Sequence, residues 1–574
     1  MKKYTIGLDY GTNSCRALIV DISNGTELAS SVFLYPSGEN GIILDSSDPN
    51  LARQNPKDYL DGITATISGA IQKAKKKDSS FDSFNIVGIG VDTTGSSPIP
   101  VDKKGNPLSF LDKFKNNPNA MCWLWRDHTS FKEAEQITLL AKEIRPAYLD
   151  KIGGTYSSEW YWSKILHCKN IAPDVFDEAY SFVELCDYIP AVLTGEINPN
   201  KIKRSVCAAG HKAMYSTDWK GLPDIGFIEQ LDSKLLNLRQ NLFDKVYTSE
   251  TEAGKLNLEW SKKLNLKEGI SIAVGAFDAH MGAVGAGVKE GTLVKIMGTS
   301  TCDIMVQNNK NKLNDIPGVC GVVDGSVMEG HYGIEAGQSA VGDIFLWFVN
   351  HLTPSKYGSR KIDEEGNIDF DEKFENLQKE AEKLLPGESG LMALDWNNGN
   401  RTILTDVRLT GLMVGQTLHT SPHEIFRALV EATAFGALKI INRIKEYDVE
   451  VKEIVNCGGL AIKSPFLMQI YADVTGIPMK VSKSHQTPAL GAAIFGAISA
   501  GEFKNVSDAQ DYMTGTDKTY NPIAENHDIY IKLYKIYSKL HDSFGTKESS
   551  GSMYNIMKDL LNIRDSQRRV KGTS

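Results

Sequence analysis

The chain has 574 residues, 41% hydrophobic and 23% charged, enough to bury large cores and to hold at least two domains. A formal charge of −8 opposes the basic face that nucleic-acid binding requires. No apolar run spans a bilayer, since the longest, Ala273 to Val288, is broken by Asp278 and His280.

The first motif is "YTIGLDYGTNSCRALIVD", Tyr4 to Asp21. An apolar strand ends in Asp9, turns through small polar residues and climbs into a second apolar strand, and Asn24-Gly25 then turns the chain again. The two lysines before it, with no apolar core behind them, do not form a signal peptide. Pro56 to Lys75 reads as a helix whose basic end, Lys73 to Lys77, faces solvent. "NIVGIGVDTTG" (Asn85 to Gly95) reads as a buried strand, Phe131 to Ile144 as a helix, and "GISIAVGAFDA" (Gly269 to Ala279) as a second buried strand ending in polar residues. This alternation is α/β patterning. "GAGVKEG", Gly285 to Gly291, is a natural hinge. "LVKIMGTSTCDIMV", Leu293 to Val306, then repeats the opening hairpin. His351 to Glu388 is polar and helical, closed by Pro386-Gly387, and reads as a surface insertion. The tail from Asp565 to Ser574 is polar and basic. The eight cysteines form no Cys-x-x-Cys pair, fit neither a zinc site nor a disulfide framework, and predict a reducing cytoplasm.

One turn rich in Gly, Thr, Asn and Ser is an ordinary solvent-facing hairpin. Two copies, each carried by a buried strand, point to phosphate binding, because such turns let several N–H and hydroxyl donors converge on oligophosphate oxygens. The expected donors are Gly11, Thr12 and Asn13 in the first copy and Gly298, Thr299 and Ser300 in the second. Asp9 would hold Mg²⁺ beside the phosphates through water. "IVNCGGLAIKSPFLMQIYADVTG", Ile454 to Gly476, adds a strand, the Gly458-Gly459 pair that lets an adenine ring approach the backbone, and a helix opened by Ser464-Pro465. Lys463 contacts the nucleotide or faces water. No Walker loop, protein-kinase motif set or complete Rossmann fingerprint is present, so a nucleotide would depend on the paired hairpins.

These elements resemble the ATPase superfamily of actin, hexokinase and the heat-shock chaperones. Within it, Tyr4 to about Gly501 resembles the FGGY carbohydrate kinases, whose C-terminal signature is similar to "LTGLMVGQTLHTSPHEIFRALVEATAF" (Leu409 to Phe435). "VDTTGSSPIPVD", "NPNAMCWLWRDHT", "CAAGHKAM", "GAFDAHMGAVGAG", "MGTSTCDIM" and "EAGQSAVGDIFLWF" resemble the branch of that family acting on L-ribulose. The resemblance implies an α/β fold of two duplicated actin-like ATPase (ribonuclease H-like) domains, 1–285 and 286–574, flanking a cleft. It also implies a cytoplasmic enzyme of L-arabinose catabolism that takes ATP and Mg²⁺ and phosphorylates the 5-hydroxyl of L-ribulose. D-ribulose, xylulose and ribitol are the alternative acceptors.

Asp278, at the strand end before "AHMGAVGAG", is the expected catalytic base, with a helix cap as its plainer role. By resemblance Ser96, Lys212, Asp278 and Glu335 bind the sugar, while Trp125 and Asp127 line the same cleft. His211 and His280 have no metal-ligand spacing and are assigned no metal. The expected partner is a small sugar, with neither nucleic acid nor membrane, and homo-oligomerisation is left open. A non-catalytic ATP-binding protein like actin or a chaperone is a weaker alternative, since little chain follows the second hairpin half. A sugar-responsive repressor would need a helix-turn-helix before Tyr4, where only three residues stand.

Overall fold

The computed structural model describes residues 2–358, 361–362, 368–369, 371–549, 551–555 and 558. The polar tail from Asp565 lies outside them.

Two seven-stranded sheets carry the molecule. In the first, Tyr4–Tyr10, Ser14–Asp21 and Thr26–Leu34 form an antiparallel meander. Ile86–Thr93 and Ser271–Ala273 then extend it in parallel, and Glu252–Lys255 closes the edge antiparallel. The second sheet repeats this plan. Thr292–Met297, Thr301–Asn308 and His331–Ala336 form a meander, extended by the edge strand Gly321–Asp324. Glu453–Cys457 and Met479–Ser482 add in parallel, and Thr516–Tyr520 closes antiparallel. The duplicated hairpins are therefore the centres of duplicated sheets.

Local sequence explains the elements. Helix Pro56–Lys77 starts on Asn55, whose side chain accepts the Lys57 N–H, with proline in the first turn. It buries Tyr59, Ile63, Ile67, Ala70, Ile71 and Ala74 on one face. It ends in Lys75, Lys76 and Lys77, which face water and complement the helix dipole. Helix Phe131–Ile144 has the expected bounds. The strand expected over Gly269 to Ala279 is instead two short pieces, Ser271–Ala273 and Ala276–Phe277. Between them Gly275 passes so close to the Cys186 carbonyl that a Cβ would sit 2.2 Å from its oxygen, and both pieces pair with Ile86–Thr93. The polar segment 351–388 is also more than a surface insertion. Its helix Asp371–Glu382 buries Leu377 and Ala381 in the second core, and Arg427 Nη1 donates to the carbonyls of Ala381 at 3.0 Å and Leu384 at 2.7 Å.

The halves meet through helices Asp278–Gly285 and Thr487–Ser499. The second crosses onto the first sheet at Gly7, Gly88 and Gly90, where an added Cβ would fall within 2 Å of the carbonyl oxygens of Ala489, Gly496 and Ala492. The two helices touch backbone to backbone at Gly491 and Met281. An apolar cluster shared by both halves, including Val20, Met281, Val294, Ile304 and Ile494, surrounds this crossing. All eight cysteines are free. Among the described residues no helix is long and apolar enough to cross a membrane.

Candidate active site

Strand register builds the centre of the site. Asp9 stands opposite Asp92 in the parallel pair Tyr4–Tyr10 and Ile86–Thr93. Phe277 stands opposite Thr93, so Asp278 follows at the same sheet edge. Three carboxylates thus gather at the C-terminal ends of three parallel strands, where open α/β sheets present ligand sites. Arg16, opposite Asp9 on the neighbouring strand, approaches it at 3.6 Å. Burial raises the pKa of Asp9 against the opposing pull of Arg16. Asp92 is fully buried and neither carboxylate oxygen has a hydrogen-bond partner. Burial and then the charges of Asp9 and Asp278 push its pKa well above the carboxylate range. Asp92 escaped the sequence reading, although its place before "TTG" at a strand end was a usable signal.

Asp278 opens its helix as the first residue, after the cap at Phe277, and its Oδ1 accepts the Ala279 N–H at 2.7 Å. Burial first, and the charge of Asp9 second, push its carboxyl up to about 7, with the Ala279 N–H opposing.

Lys212 and Glu335 come from opposite halves and pair at 2.9 and 3.2 Å. Lys212 is fixed by its carbonyl, which accepts from Tyr156 Oη at 2.6 Å, and its ammonium lies 5.2 Å over the Trp160 ring. Burial disfavours both charges, but each ion holds the other: Glu335 stays well below the carboxylate range and the pKa of Lys212 is raised. His211 and His280 stand beside the pair. His211 Nδ1 lies 3.4 Å and His280 Nε2 3.8 Å from Glu335 Oε2. Sequence spacing separated these groups, but the fold brings ligand atoms of His211, His280 and Glu335 within 4.8 Å of one another.

Ser96 is buried, and its hydroxyl donates to Glu184 while its carbonyl accepts from Lys164 Nζ at 2.7 Å. Its backbone N–H is the donor that remains for a ligand. Glu184 also accepts the Ser97 N–H at 2.7 Å, so the Glu184 and Lys164 pair fixes this loop. Burial raises the pKa of Glu184 and lowers that of Lys164. No motif marked either residue in the sequence. Asp127 does not line the cleft. It is fully buried, paired with Arg53, and accepts the Ala52 N–H at 2.7 Å, because an internal guanidinium needs a counter-charge. Trp125 sits at the first hairpin turn, its Nε1 donating to Thr12 Oγ1 at 3.0 Å.

Both expected phosphate turns have Gly, Thr and a small polar residue at the bend. Gly11 N–H donates to the Ser14 carbonyl at 2.9 Å and Gly298 N–H to the Ser300 carbonyl at 2.9 Å. The first turn is braced from inside: the Thr12 carbonyl accepts from Gln54 at 2.6 Å, and Asn13 Nδ2 donates to the Asn40 carbonyl at 2.7 Å. In the second, Gly298 and Thr299 are exposed and Ser300 half-buried. The Thr299 carbonyl accepts the N–H groups of Val341 at 2.8 Å and Asp343 at 3.1 Å, tying the turn to helix Gly342–His351. Gly458, at φ +94°, packs on this turn, where a Cβ would lie 2.4 Å from the Met297 oxygen. Gly459 is exposed with open space where a side chain would stand, and Lys463 is exposed. Ser464 caps helix Pro465–Thr475 by accepting the Leu467 N–H.

Residues 4–285 match the model of the FGGY family of carbohydrate kinases, N-terminal domain, and residues 293–500 that family's C-terminal domain. The chain is 40% identical to a ribulokinase of Shouchella clausii, with 100% of this chain and 99% of the relative covered. It is 42% identical to a ribulokinase of Vibrio parahaemolyticus, over 94% and 95%. A xylulose kinase from Rhodospirillum rubrum superposes with a TM-score of 0.76 at 20% identity, covering 94% of this chain and 99% of that one. A Plasmodium falciparum glycerol kinase with ADP superposes at 0.74 and 15% identity, over 94% and 98%. Together the two halves thus form the two-domain actin-like ATPase fold of these kinases, and the chain belongs to the FGGY family of carbohydrate kinases.

Proposed function

We propose that the protein is an ATP-dependent ribulokinase of the cytoplasm, transferring the γ-phosphoryl group to the 5-hydroxyl of L-ribulose in L-arabinose catabolism. The observation that carries this is Asp278: a carboxyl pushed up to about 7, beside a cross-half Lys212 and Glu335 pair at 2.9 Å, in a chain about 40% identical to curated ribulokinases over nearly its whole length. A carboxylate with that proton affinity suits removal of a hydroxyl proton near neutral pH.

In the reaction, Lys212, Glu335 and the Ser96 backbone hold the sugar. The hydroxyl oxygen bonds to the γ-phosphorus as the bond to ADP breaks, and the hydroxyl proton passes to Asp278. Thr12, Asn13, Thr299 and Ser300 offer donors to the phosphates, on turns that the Gly11 and Gly298 N–H groups close by donating to the Ser14 and Ser300 carbonyls, and Gly458, Gly459 and Lys463 border the adenosine. Asp9, through water, and Asp92 would hold Mg²⁺. The fit rests on Asp92, whose two buried oxygens have no partner beside a second carboxylate. When bound, the ion neutralises phosphate charge. The domain division 1–285 and 286–574 belongs to the same reading, with one phosphate turn from each part.

A coupled ADP-release assay over L-ribulose, D-ribulose, xylulose and ribitol tests it. L-Ribulose should give the highest kcat/KM, and turnover with another acceptor alone overturns the substrate assignment.

A further inference from the structure

His280 is 2% exposed, yet neither ring nitrogen has a hydrogen-bond partner. Buried polar groups left in that state are costly. Its neighbour His211 is anchored by Nε2 to Ser326 Oγ at 3.0 Å, while its Nδ1 also lacks a hydrogen-bond partner. The rings lie 4.5 Å apart and face the carboxylate of Glu335. His280 Nε2 and Glu335 Oε2 are 3.8 Å apart, too far for a direct bond. One oxygen between them could lie about 2.8 Å from each. Lys212 Nζ donates to both oxygens of the carboxylate, to Oε1 at 2.9 Å and to Oε2 at 3.2 Å.

We propose that His280 reads the sugar: its Nε2–H and the Glu335 carboxylate together hold one secondary hydroxyl, next to the hydroxyl taken by Lys212, so that the cluster recognises a vicinal diol. This rests on the pentulose-kinase reading of the cleft. The hydroxyl donates to Glu335 and accepts from His280, a pairing that a carbon lacking oxygen cannot make. Burial pushes His280 down to about 4 and His211 well below its usual range, so each ring presents one donor and one acceptor at neutral pH. A metal ion is the other chemistry two imidazoles and a carboxylate could serve, but the Lys212 ammonium on the same carboxylate opposes a second cation.

The test uses the full-length enzyme and its His280→Leu and His280→Gln variants, with L-ribulose and its 3-deoxy and 4-deoxy analogues. His280→Leu should raise KM for L-ribulose about 10- to 100-fold, with kcat within a few-fold and calorimetric binding of an ATP analogue unchanged. His280→Gln, which keeps a donor, should recover part of the loss. Towards the one deoxy analogue that lacks the read hydroxyl, wild type and His280→Leu should perform alike. A KM for L-ribulose within about twofold of wild type in His280→Leu overturns the proposal. So does an equal further loss on both deoxy analogues, which would mark a structural histidine. Calorimetric Zn²⁺ binding to the sugar-free enzyme that L-ribulose displaces and His280→Leu abolishes would make the cluster a metal site instead. Wild type that ignores L-ribulose but phosphorylates another pentulose overturns the substrate assignment alone, and the deoxy analogues of that sugar then decide the role of His280.

Discussion

Asp278 shows what burial does to a single residue. Its carboxyl, pushed up to about 7 by desolvation and the charge of Asp9, must be ionised to accept a proton. kcat/KM should therefore rise with pH and level off above about 7, as an initial-rate pH profile would reveal. Asp278→Asn should lower kcat roughly 10²- to 10⁴-fold while sugar binding by calorimetry persists, and near-normal turnover would reduce Asp278 to a helix-start residue. His280 works in the opposite sense. Its folded pKa of about 4 lies below the ordinary value near 6.5, so its stabilisation is complete above about 6.5 and is lost as pH falls towards 4. Acidifying from about pH 7.5 to 5 should cost about 2 kcal/mol through this residue. Denaturant melts of wild type and His280→Gln would measure that, and parallel curves would exclude it.

At the scale of elements, backbone proximity governs the packing of helix Thr487–Ser499 on the first sheet. A methyl at Gly90 would sit 1.8 Å from the Ala492 oxygen, and the facing strand and helix cannot both yield. Gly90→Ala should destabilise by about 1–3 kcal/mol or more, read as a lower denaturant midpoint; an unchanged midpoint would mean the helix can slide. The hairpins differ in their charges. The first pairs Asp9 with Arg16, partly exposed, and the second pairs Lys295 with Asp303 at 2.7 Å in a nearly sealed setting. Asp9 thus stays accessible to a cation, whereas its counterpart in the second hairpin, Asp303, is committed to Lys295. Asp9→Ala should raise the Mg²⁺ concentration for half-maximal activity several-fold, and an unchanged titration would leave Asp9 a hairpin residue.

For the whole molecule, the question is how two halves make one site. Lys212 and Glu335, and also Lys151 and Asp315 at 2.7 Å, bridge them. Gly287 and Gly291 hold φ of +85° and +79° in the connecting segment, a backbone freedom suited to a hinge. L-Ribulose with a non-hydrolysable ATP analogue should therefore shrink the radius of gyration in small-angle scattering. A radius unchanged by both ligands would mean a preformed cleft.

The amino-acid sequence by itself determined the duplicated hairpins, the alternation of strands and helices, the helix bounds at Pro56 and at Phe131 to Ile144, and the strand-end position of Asp278. These are local properties: apolar periodicity, caps and turn residues act over a few positions. What it could not determine was register and encounter. Asp92 matters because parallel pairing sets it opposite Asp9, and Asp127 is removed from the cleft because a distant arginine claims it. His211 and His280 are brought to Glu335 by the contact between the two halves. The second parallel strand breaks at Gly275 because the Cys186 carbonyl crowds it. Those outcomes depend on contacts between residues far apart in the chain, and only the tertiary structure decides them.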